Sequence, residues 1–245
     1  MLKSNDLINK VKSYNKFLNP ETLDKAYNFA VKAHENQKRH SGDPYVIHPV
    51  AVANILTELK LDSATIATGL LHDTIEDTHA TYQTIKQEFG QEVADLVEGV
   101  TKISELENQA KANSRAENFR KLIIATSKDI RVLLVKIADR LHNMRTIHSI
   151  DKQEKKERIA RETMEIYSPL ADRMGMNRIR DELEDLSFEV LNPKARKLIK
   201  DRLDKIKENN LISFNSVADE FTKLLNENDL SATIYGREKT SVNSC

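Results

Sequence analysis

A helical apolar period runs through nearly the whole chain and predicts an all-α fold. Within 19–39, Leu23, Ala26 and Ala30 recur at helical spacing, and Asn19 before Pro20 is typical of an N-cap followed by the first helical residue. A turn over 40–45 follows, because Ser, Gly, Asp and Pro cluster there. Further helices are predicted over 48–61, 63–77 with Ser63 as the cap, 81–103 (one or two helices), 113–127, 129–147, 151–175 and 178–191.

The sequence pattern changes after residues 192–195. Residues 196–227 predict two more amphipathic, highly charged helices, and the alternating stretch 230–239 predicts a short strand. We therefore expect a multi-helix body over 1–195 and a region of linker helices over 196–245.

Charge and cysteine content exclude several classes of protein. The 245 residues include 38 Lys and Arg against 38 Asp and Glu, so the net charge of zero gives no support to nucleic acid or an anionic membrane as a partner. The single cysteine, Cys245, permits neither an internal disulfide nor a thiolate metal cluster. No signal peptide or apolar run of membrane-spanning length is visible, so we expect a cytoplasmic protein.

The stretch GLLHDTIEDT, residues 69–78, predicts a metal site. It places His72 beside Asp73, while His48 lies upstream and Asp139 interrupts the most apolar helix downstream. Imidazole and carboxylate groups are usual ligands of divalent transition metals. Taken singly, each residue also fits a surface pair, a buried hydrogen-bonded histidine or an ion pair with Arg140. An unpaired Asp139 would be costly in that apolar helix, and a metal would compensate its charge.

Two helix faces extend this site. Glu76 and Asp77 follow His72 and Asp73 by one turn each, so they suit carboxylates that orient or deprotonate a metal-bound water. A solvated acidic helix end is the alternative. Asn143 and Thr146 continue the stripe of Asp139, where polar groups would contact a ligand next to the metal, or form ordinary polar surface.

Five segments together resemble the hydrolase domain of the RelA/SpoT homologues, within the HD hydrolase superfamily. They are RHSGDPYVIHP, GLLHDTIEDT, AENFRKLIIA, VKIADRLHNMRT and IYSPLADRMGM, and the similarity covers about residues 20–240. The resemblance implies an HD-type helical bundle. It also implies a manganese-dependent hydrolase that removes pyrophosphate from the 3′ position of ppGpp or pppGpp, giving GDP or GTP.

The resemblance also implies roles for individual residues. It makes His48, His72, Asp73 and Asp139 the Mn²⁺ ligands, Glu76 and Asp77 the water-activating pair, and Arg39, His40, Ser41, Asn143 and Thr146 the substrate contacts. Two positions depart from the family. His40 stands where a lysine is common, which predicts a weaker or pH-dependent phosphate contact, and Asp172 stands where a histidine is common.

The end of the chain predicts a truncated synthetase. YGREK opens the synthetase domain in the family, whereas the residues after it here do not continue the pattern. We expect a stub and alarmone degradation without synthesis. Two alternatives remain open: an HD phosphohydrolase acting on another nucleotide, and a non-catalytic nucleotide-binding remnant. The sequence does not determine the oligomeric state.

Overall fold

Helices dominate the part of the chain that can be described. The computed structural model describes residues 2–16, 18–109 and 128–228, together with 230 and 232. Within these residues every regular element is a helix, apart from one isolated bridge between Lys38 and Pro44. The predicted all-α fold is therefore confirmed.

The helices of the described residues follow one another along the chain. Their bounds are α1 Ser4–Lys12, α2 Pro20–Ala33, α3 Ile47–Glu58, α4 Ser63–Leu71, α5 Thr74–Asp77, α6 Tyr82–Phe89, α7 Gln91–Gln109, α8 Ile130–Arg145, a 3-10 turn Ile147–Ser149, α9 Gln153–Glu162, a π-helical turn Thr163–Tyr167, α10 Ser168–Arg173, α11 Asn177–Leu191 and α12 Pro193–Glu227.

The predicted caps were partly correct. Asn19 caps α2 by accepting a hydrogen bond from the Glu21 amide, and Pro20 is the first helical residue, as predicted. The prediction that Ser63 caps α4 was wrong. Asp62 occupies the cap position because its carboxylate accepts from the Thr65 amide at 3.0 Å, which leaves Ser63 inside the helix.

The helix predicted over 63–77 is broken in the middle. His72 keeps helical backbone angles, but Asp73 moves to φ −92° and ψ −4°, and the short helix α5 starts at Thr74. The region 81–103 contains two helices, which Gly90 separates at a φ of +89°. Glycine adopts this left-handed conformation without the cost that a Cβ atom would bring.

The C-terminal helical prediction needs one correction. Residues 193–227 form the single helix α12 instead of two helices, because neither glycine nor proline follows Pro193 to interrupt it. The helix predicted over 113–127 and most of the strand predicted over 230–239 lie outside the described residues.

The chain divides into two compact units, 1–156 and 157–245. In the first unit α3, α4 and α8 pack together around fully buried side chains such as Leu56, Leu70 and Leu133. Gly69 permits a close approach of α4 to α3, since a Cβ atom there would lie 2.6 Å from Leu56 Cδ1. This close packing places the C-terminal end of α4 beside the N-terminal turn of α3.

In the second unit the π-helical turn, α10 and α11 pack on one another around Tyr167, Leu170 and Leu183. The Ser168 hydroxyl donates a hydrogen bond to Glu184 at 2.8 Å. The predicted boundary between a body at 1–195 and a linker at 196–245 stays a prediction. Among the helices within the described ranges, none combines the length and apolar character that a membrane span requires.

Candidate active site

The structure brings the four predicted ligands together. His48 lies in the first turn of α3, His72 and Asp73 lie between α4 and α5, and Asp139 lies in the middle of α8. The Nε2 atom of His48 is 3.1 Å from Asp139 Oδ1 and 3.6 Å from Asp73 Oδ2. The Nε2 atom of His72 is 3.1 Å from Asp73 Oδ1 and 3.9 Å from Asp139 Oδ1. These donor atoms converge on one point between three segments of the chain.

The hydrogen-bonding state of His72 fits a cation at this point. Its Nδ1 lies 2.9 Å from the Gly69 carbonyl, and because a carbonyl only accepts, the ring nitrogen must donate. In the neutral ring Nε2 then carries a lone pair. This atom is fully buried and has no hydrogen-bond partner among the described residues, although two carboxylates face it. A lone pair directed at carboxylates is favourable only when a cation lies between them.

His142 supports the second histidine and was missed by the sequence analysis. The Nδ1 atoms of His48 and His142 lie 2.8 Å apart, so one of the two rings must donate to the other. For His48 Nε2 to bind a cation, its hydrogen must be on Nδ1 and His142 must accept. Burial, with His48 and Arg39 nearby, lowers the pKa of His142 to about 3, which keeps it neutral. Burial also lowers the pKa of His48.

Asp139 is not the unpaired carboxylate that its sequence context suggested. Lys136, one turn earlier on α8, places its Nζ 3.1 Å from Asp139 Oδ2. Asn143 donates to Asp139 Oδ1 at 2.6 Å. Burial alone would raise the pKa of Asp139, but the Lys136 ammonium and the hydrogen bond with His48 hold it well below its usual range. The carboxylate is therefore ionised, and a cation bound to His48 Nε2 would replace the hydrogen bond with His48 while the Lys136 contact remains.

The acidic pair lies one turn beyond the ligands, as predicted. The Asp77 amide donates to the Asp73 carbonyl at 2.8 Å, so the two residues share a helical turn. Desolvation raises the pKa of Glu76, and the negative charges of Asp73 and Asp77 raise it further, against a hydrogen bond from Ser104 that lowers it. Glu76 therefore holds its proton more strongly than an ordinary glutamate does.

Tyr45 joins the acidic pair to the ligands, and the sequence analysis missed it. Its hydroxyl lies 2.8 Å from Asp73 Oδ2 and 3.0 Å from Asp77 Oδ2. Burial and the two carboxylates raise the pKa of Tyr45, so the hydroxyl keeps its hydrogen. Tyr45 precedes His48 by three residues, and Lys136 and His142 flank Asp139 at the same spacing. For Lys136 and His142, which share α8 with Asp139, this spacing was the available sequence signal, whereas Tyr45 lies in the turn before α3.

The predicted substrate residues fall into two groups. Arg39 Nη2 donates to Asn143 Oδ1 at 2.9 Å and to Thr146 Oγ1 at 3.3 Å, and Asn143 in turn contacts Asp139. The structure therefore brings these three residues to the edge of the candidate metal site. The other two, His40 and Ser41, are exposed on the loop that follows Arg39.

The contacts of the exposed pair are local. Lys155 Nζ lies 3.5 Å from His40 Nε2, and the Ser41 hydroxyl donates to Asp43 at 2.8 Å. No contact of either side chain with the four candidate ligands is present in the described ranges. Asp172, the other departure from the family, forms an ion pair with Arg180 in the second unit.

A family model for the HD domain matches residues 26–177, which include all four candidate ligands and the acidic pair. The chain belongs to the HD-domain family. Curated proteins are similar to it over almost its whole length. The GTP pyrophosphokinase rsh of Brucella melitensis is 48% identical over 239 residues, covering 98% of this chain and 32% of that protein.

Two further similar proteins are SpoT of Escherichia coli and a metazoan orthologue of SpoT. The bifunctional (p)ppGpp synthase/hydrolase SpoT of Escherichia coli K12 is 50% identical over 217 residues, covering 89% of this chain and 31% of SpoT. A solved structure of a metazoan SpoT orthologue, described as hydrolysing ppGpp, covers 71% of this chain and 96% of the orthologue, with a TM-score of 0.54 and 24% identity. That similarity establishes a common fold.

The predicted resemblance to the RelA/SpoT homologues is confirmed by the two sequence relatives. This HD-domain chain spans about a third of the length of both curated relatives.

Proposed function

We propose that this HD-domain chain is a manganese-dependent hydrolase of ppGpp and pppGpp, releasing pyrophosphate from the 3′ position and leaving GDP or GTP. The observation that carries the proposal is the buried Nε2 atom of His72, which has no hydrogen-bond partner among the described residues and faces the carboxylates of Asp73 and Asp139. The names of the relatives support the substrate: SpoT is called a (p)ppGpp synthase/hydrolase, and the protein of Escherichia coli O157:H7 is called a guanosine-3′,5′-bis(diphosphate) 3′-pyrophosphohydrolase.

The proposed ligands are His48, His72, Asp73 and Asp139. A bound divalent ion supplies Lewis acidity, which lowers the pKa of water and stabilises charge on phosphoryl oxygens. Two imidazoles and two carboxylates would suit a divalent ion such as Mn²⁺, which binds oxygen and nitrogen ligands.

The acidic pair supplies the proton transfers in this proposal. Water forms a bond to the phosphorus that carries O3′, and the bond from that phosphorus to O3′ breaks. A carboxylate oxygen of Asp77 accepts the proton of the attacking water. Glu76, whose pKa is raised by desolvation, returns a proton to the departing O3′. The products are pyrophosphate and a nucleotide with a free 3′ hydroxyl.

Arg39 is proposed to pack on the guanine base. Its guanidinium is fixed by Asn143 and Thr146, and its Cζ lies 5.8 Å from the centre of the Tyr45 ring. A planar guanidinium held in this way offers a flat surface on which a base can stack. His40 and Ser41 are proposed to contact the phosphates from the exposed loop. Because the substrate is a guanine nucleotide, we place the protein in the cytoplasm.

The experiment is hydrolysis of ppGpp by protein freed of metal and then reloaded with Mn²⁺, Mg²⁺ or Zn²⁺, with pyrophosphate release as the measurement. We expect turnover with Mn²⁺, and loss of both metal and turnover in the His72→Ala/Asp139→Ala double variant. The exposed pair His148→Ala/Asp201→Ala is the matched control and should behave as the wild type does. Metal content that is equal in the ligand double variant and the wild type would refute the site.

A substrate panel separates the remaining alternatives. Faster hydrolysis of another nucleotide than of ppGpp would refute the substrate, and metal binding without turnover of any nucleotide would refute the enzyme. The expectation that the 245-residue chain lacks synthetase activity stays a prediction, tested by pyrophosphate transfer from ATP to GDP.

A further inference from the structure

The Tyr45 ring is fixed on both sides. It stacks on His34 with ring centres 4.8 Å apart and an interplanar angle of 27°, and it meets His48 edge-on with centres 6.0 Å apart. A ring held in this way has little freedom to rotate, so its hydroxyl occupies one place. That place lies between the Asp73 and Asp77 carboxylates, at 2.8 and 3.0 Å.

A phenol has one hydrogen, and ionised carboxylates only accept. The Tyr45 hydroxyl can therefore donate to one of its two neighbours at a time. When Asp73 binds a cation, its oxygens lose electron density and become weaker acceptors than those of Asp77. The hydrogen of Tyr45 then points to Asp77.

The backbone of Asp77 is held independently of Tyr45. Its amide donates to the Asp73 carbonyl at 2.8 Å, and its carbonyl accepts from Gln37 Nε2 at 2.6 Å. Gln37 is fixed in turn by His34 Nδ1 at 2.7 Å. In contrast, the Asp77 side chain has Tyr45 as its one hydrogen-bond partner within the described residues. The direction of this carboxylate therefore depends on the Tyr45 hydroxyl.

We propose that Tyr45 is a positioning residue that aims the Asp77 carboxylate at the attacking water. The inference rests on the proposed function, in which Asp77 accepts the proton of that water. Tyr45 itself neither binds the ion nor transfers the proton. Without the hydroxyl the carboxylate rotates about its side-chain bonds, and the fraction of time that it spends in reach of the water falls.

Tyr45→Phe tests this because it removes the hydroxyl and leaves the stacked ring in place. We expect kcat to fall about 10- to 100-fold, the effect of losing a hydrogen bond to a charged group, while KM and metal content stay close to the wild-type values. Tyr14→Phe is the matched control, since it removes a hydroxyl that donates to the Leu61 carbonyl away from the site. Its kcat should not change.

The double variant decides whether Tyr45 acts through Asp77. In an Asp77→Asn background, Tyr45→Phe should cause no further loss of kcat, because the carboxylate that it aims is gone. A purely structural role would give the same fold-loss in both backgrounds. That result, or an unchanged kcat in the single Tyr45→Phe variant, would overturn the proposal.

A spectroscopic measurement keeps this inference separate from the choice of substrate. In Zn²⁺-loaded protein with ¹³Cζ-labelled tyrosine, the signal that Tyr45→Phe removes is that of Tyr45. We expect Asp77→Asn to shift it and to leave the Tyr14 signal in place. A Tyr45 signal that Asp77→Asn does not move would overturn the positioning role. If the wild type fails to hydrolyse ppGpp, the proposed function falls, and this spectrum alone decides the role of Tyr45.

Discussion

Replacing Lys136 with methionine should destabilise the metal-free protein much more than the metal-loaded protein. Lys136 and Asp139 are 5% and 8% exposed, and Nζ lies 3.1 Å from Oδ2. Methionine keeps most of the apolar stem and removes the ammonium. Removing one partner of a buried ion pair costs about 3–5 kcal/mol because the other charge stays uncompensated. Asn143 still donates to Asp139, so we expect a loss of about 3 kcal/mol.

The pH dependence of this loss has a definite sign. Lys136 helps to hold the folded-state pKa of Asp139 well below its usual range. The stability that this carboxylate contributes is therefore present above its unfolded pKa of about 3.9 and is lost as the pH falls through the folded pKa. Without Lys136 the folded pKa rises. The deficit of the variant should be largest near pH 7 and should shrink as the pH approaches 4.

Urea unfolding followed by far-UV circular dichroism measures the free energy, with a chelator and again with saturating Mn²⁺. Lys102→Met is the control, since Lys102 is exposed and pairs with Glu98 on the surface of α7. It should change stability by less than about 0.5 kcal/mol. In the chelated state Lys136→Met/Asp139→Asn should recover most of the loss. An equal deficit with and without metal, or no recovery in the double variant, would refute the reasoning.

Three shorter predictions follow from other contacts. Asp77→Asn should keep the metal and lower kcat by about 10²–10⁴-fold, since Asp77 serves the water and not the ion; equal wild-type and variant rates would contradict this. Gly69→Ala should lower the free energy of unfolding in urea by about 1–3 kcal/mol, because its Cβ would lie 2.6 Å from Leu56 Cδ1. Gly42→Ala serves as the comparison, since a Cβ atom there meets no neighbour and only the positive φ of the backbone opposes it. The pKa of His142 is lowered to about 3, against about 6.5 when unfolded, so the unfolded chain binds more protons between these values. The metal-free protein should therefore lose stability on acidification over that pH range, and the His142→Gln variant should lose less. Identical slopes of unfolding free energy against pH for the two proteins would be evidence against this role of His142.

Local sequence determined most of the helices. Asn19 and Pro20 identified the start of α2 because capping depends on neighbouring residues alone. The cap of α4 was placed at Ser63 instead of Asp62, since both residue types cap well and the choice depends on which side chain reaches the Thr65 amide. The break at Asp73 was also missed, because no glycine or proline accompanies it.

In the site, residue types and order predicted the convergence of His48, His72 and Asp139, which the structure brings together. The partners of these residues were not predicted. Lys136 and His142 were not singled out, because a spacing of one turn from Asp139 does not by itself show which residues contact a neighbouring helix. Their contacts depend on the packing of α8 against α3, which is a tertiary property.

The candidate ligands are distributed along the chain in a way that bears on biosynthesis. His48, His72 and Asp73 leave the ribosome before Asp139, which α8 adds much later. The complete set of four candidate ligands therefore exists only after α8 is made, and burial of apolar side chains between α3 and α4 can start before it. We expect a newly made chain to fold first and to acquire its ion afterwards. Supply of the proposed divalent ion would then set the fraction of folded molecules that carry it, and not the yield of folded protein.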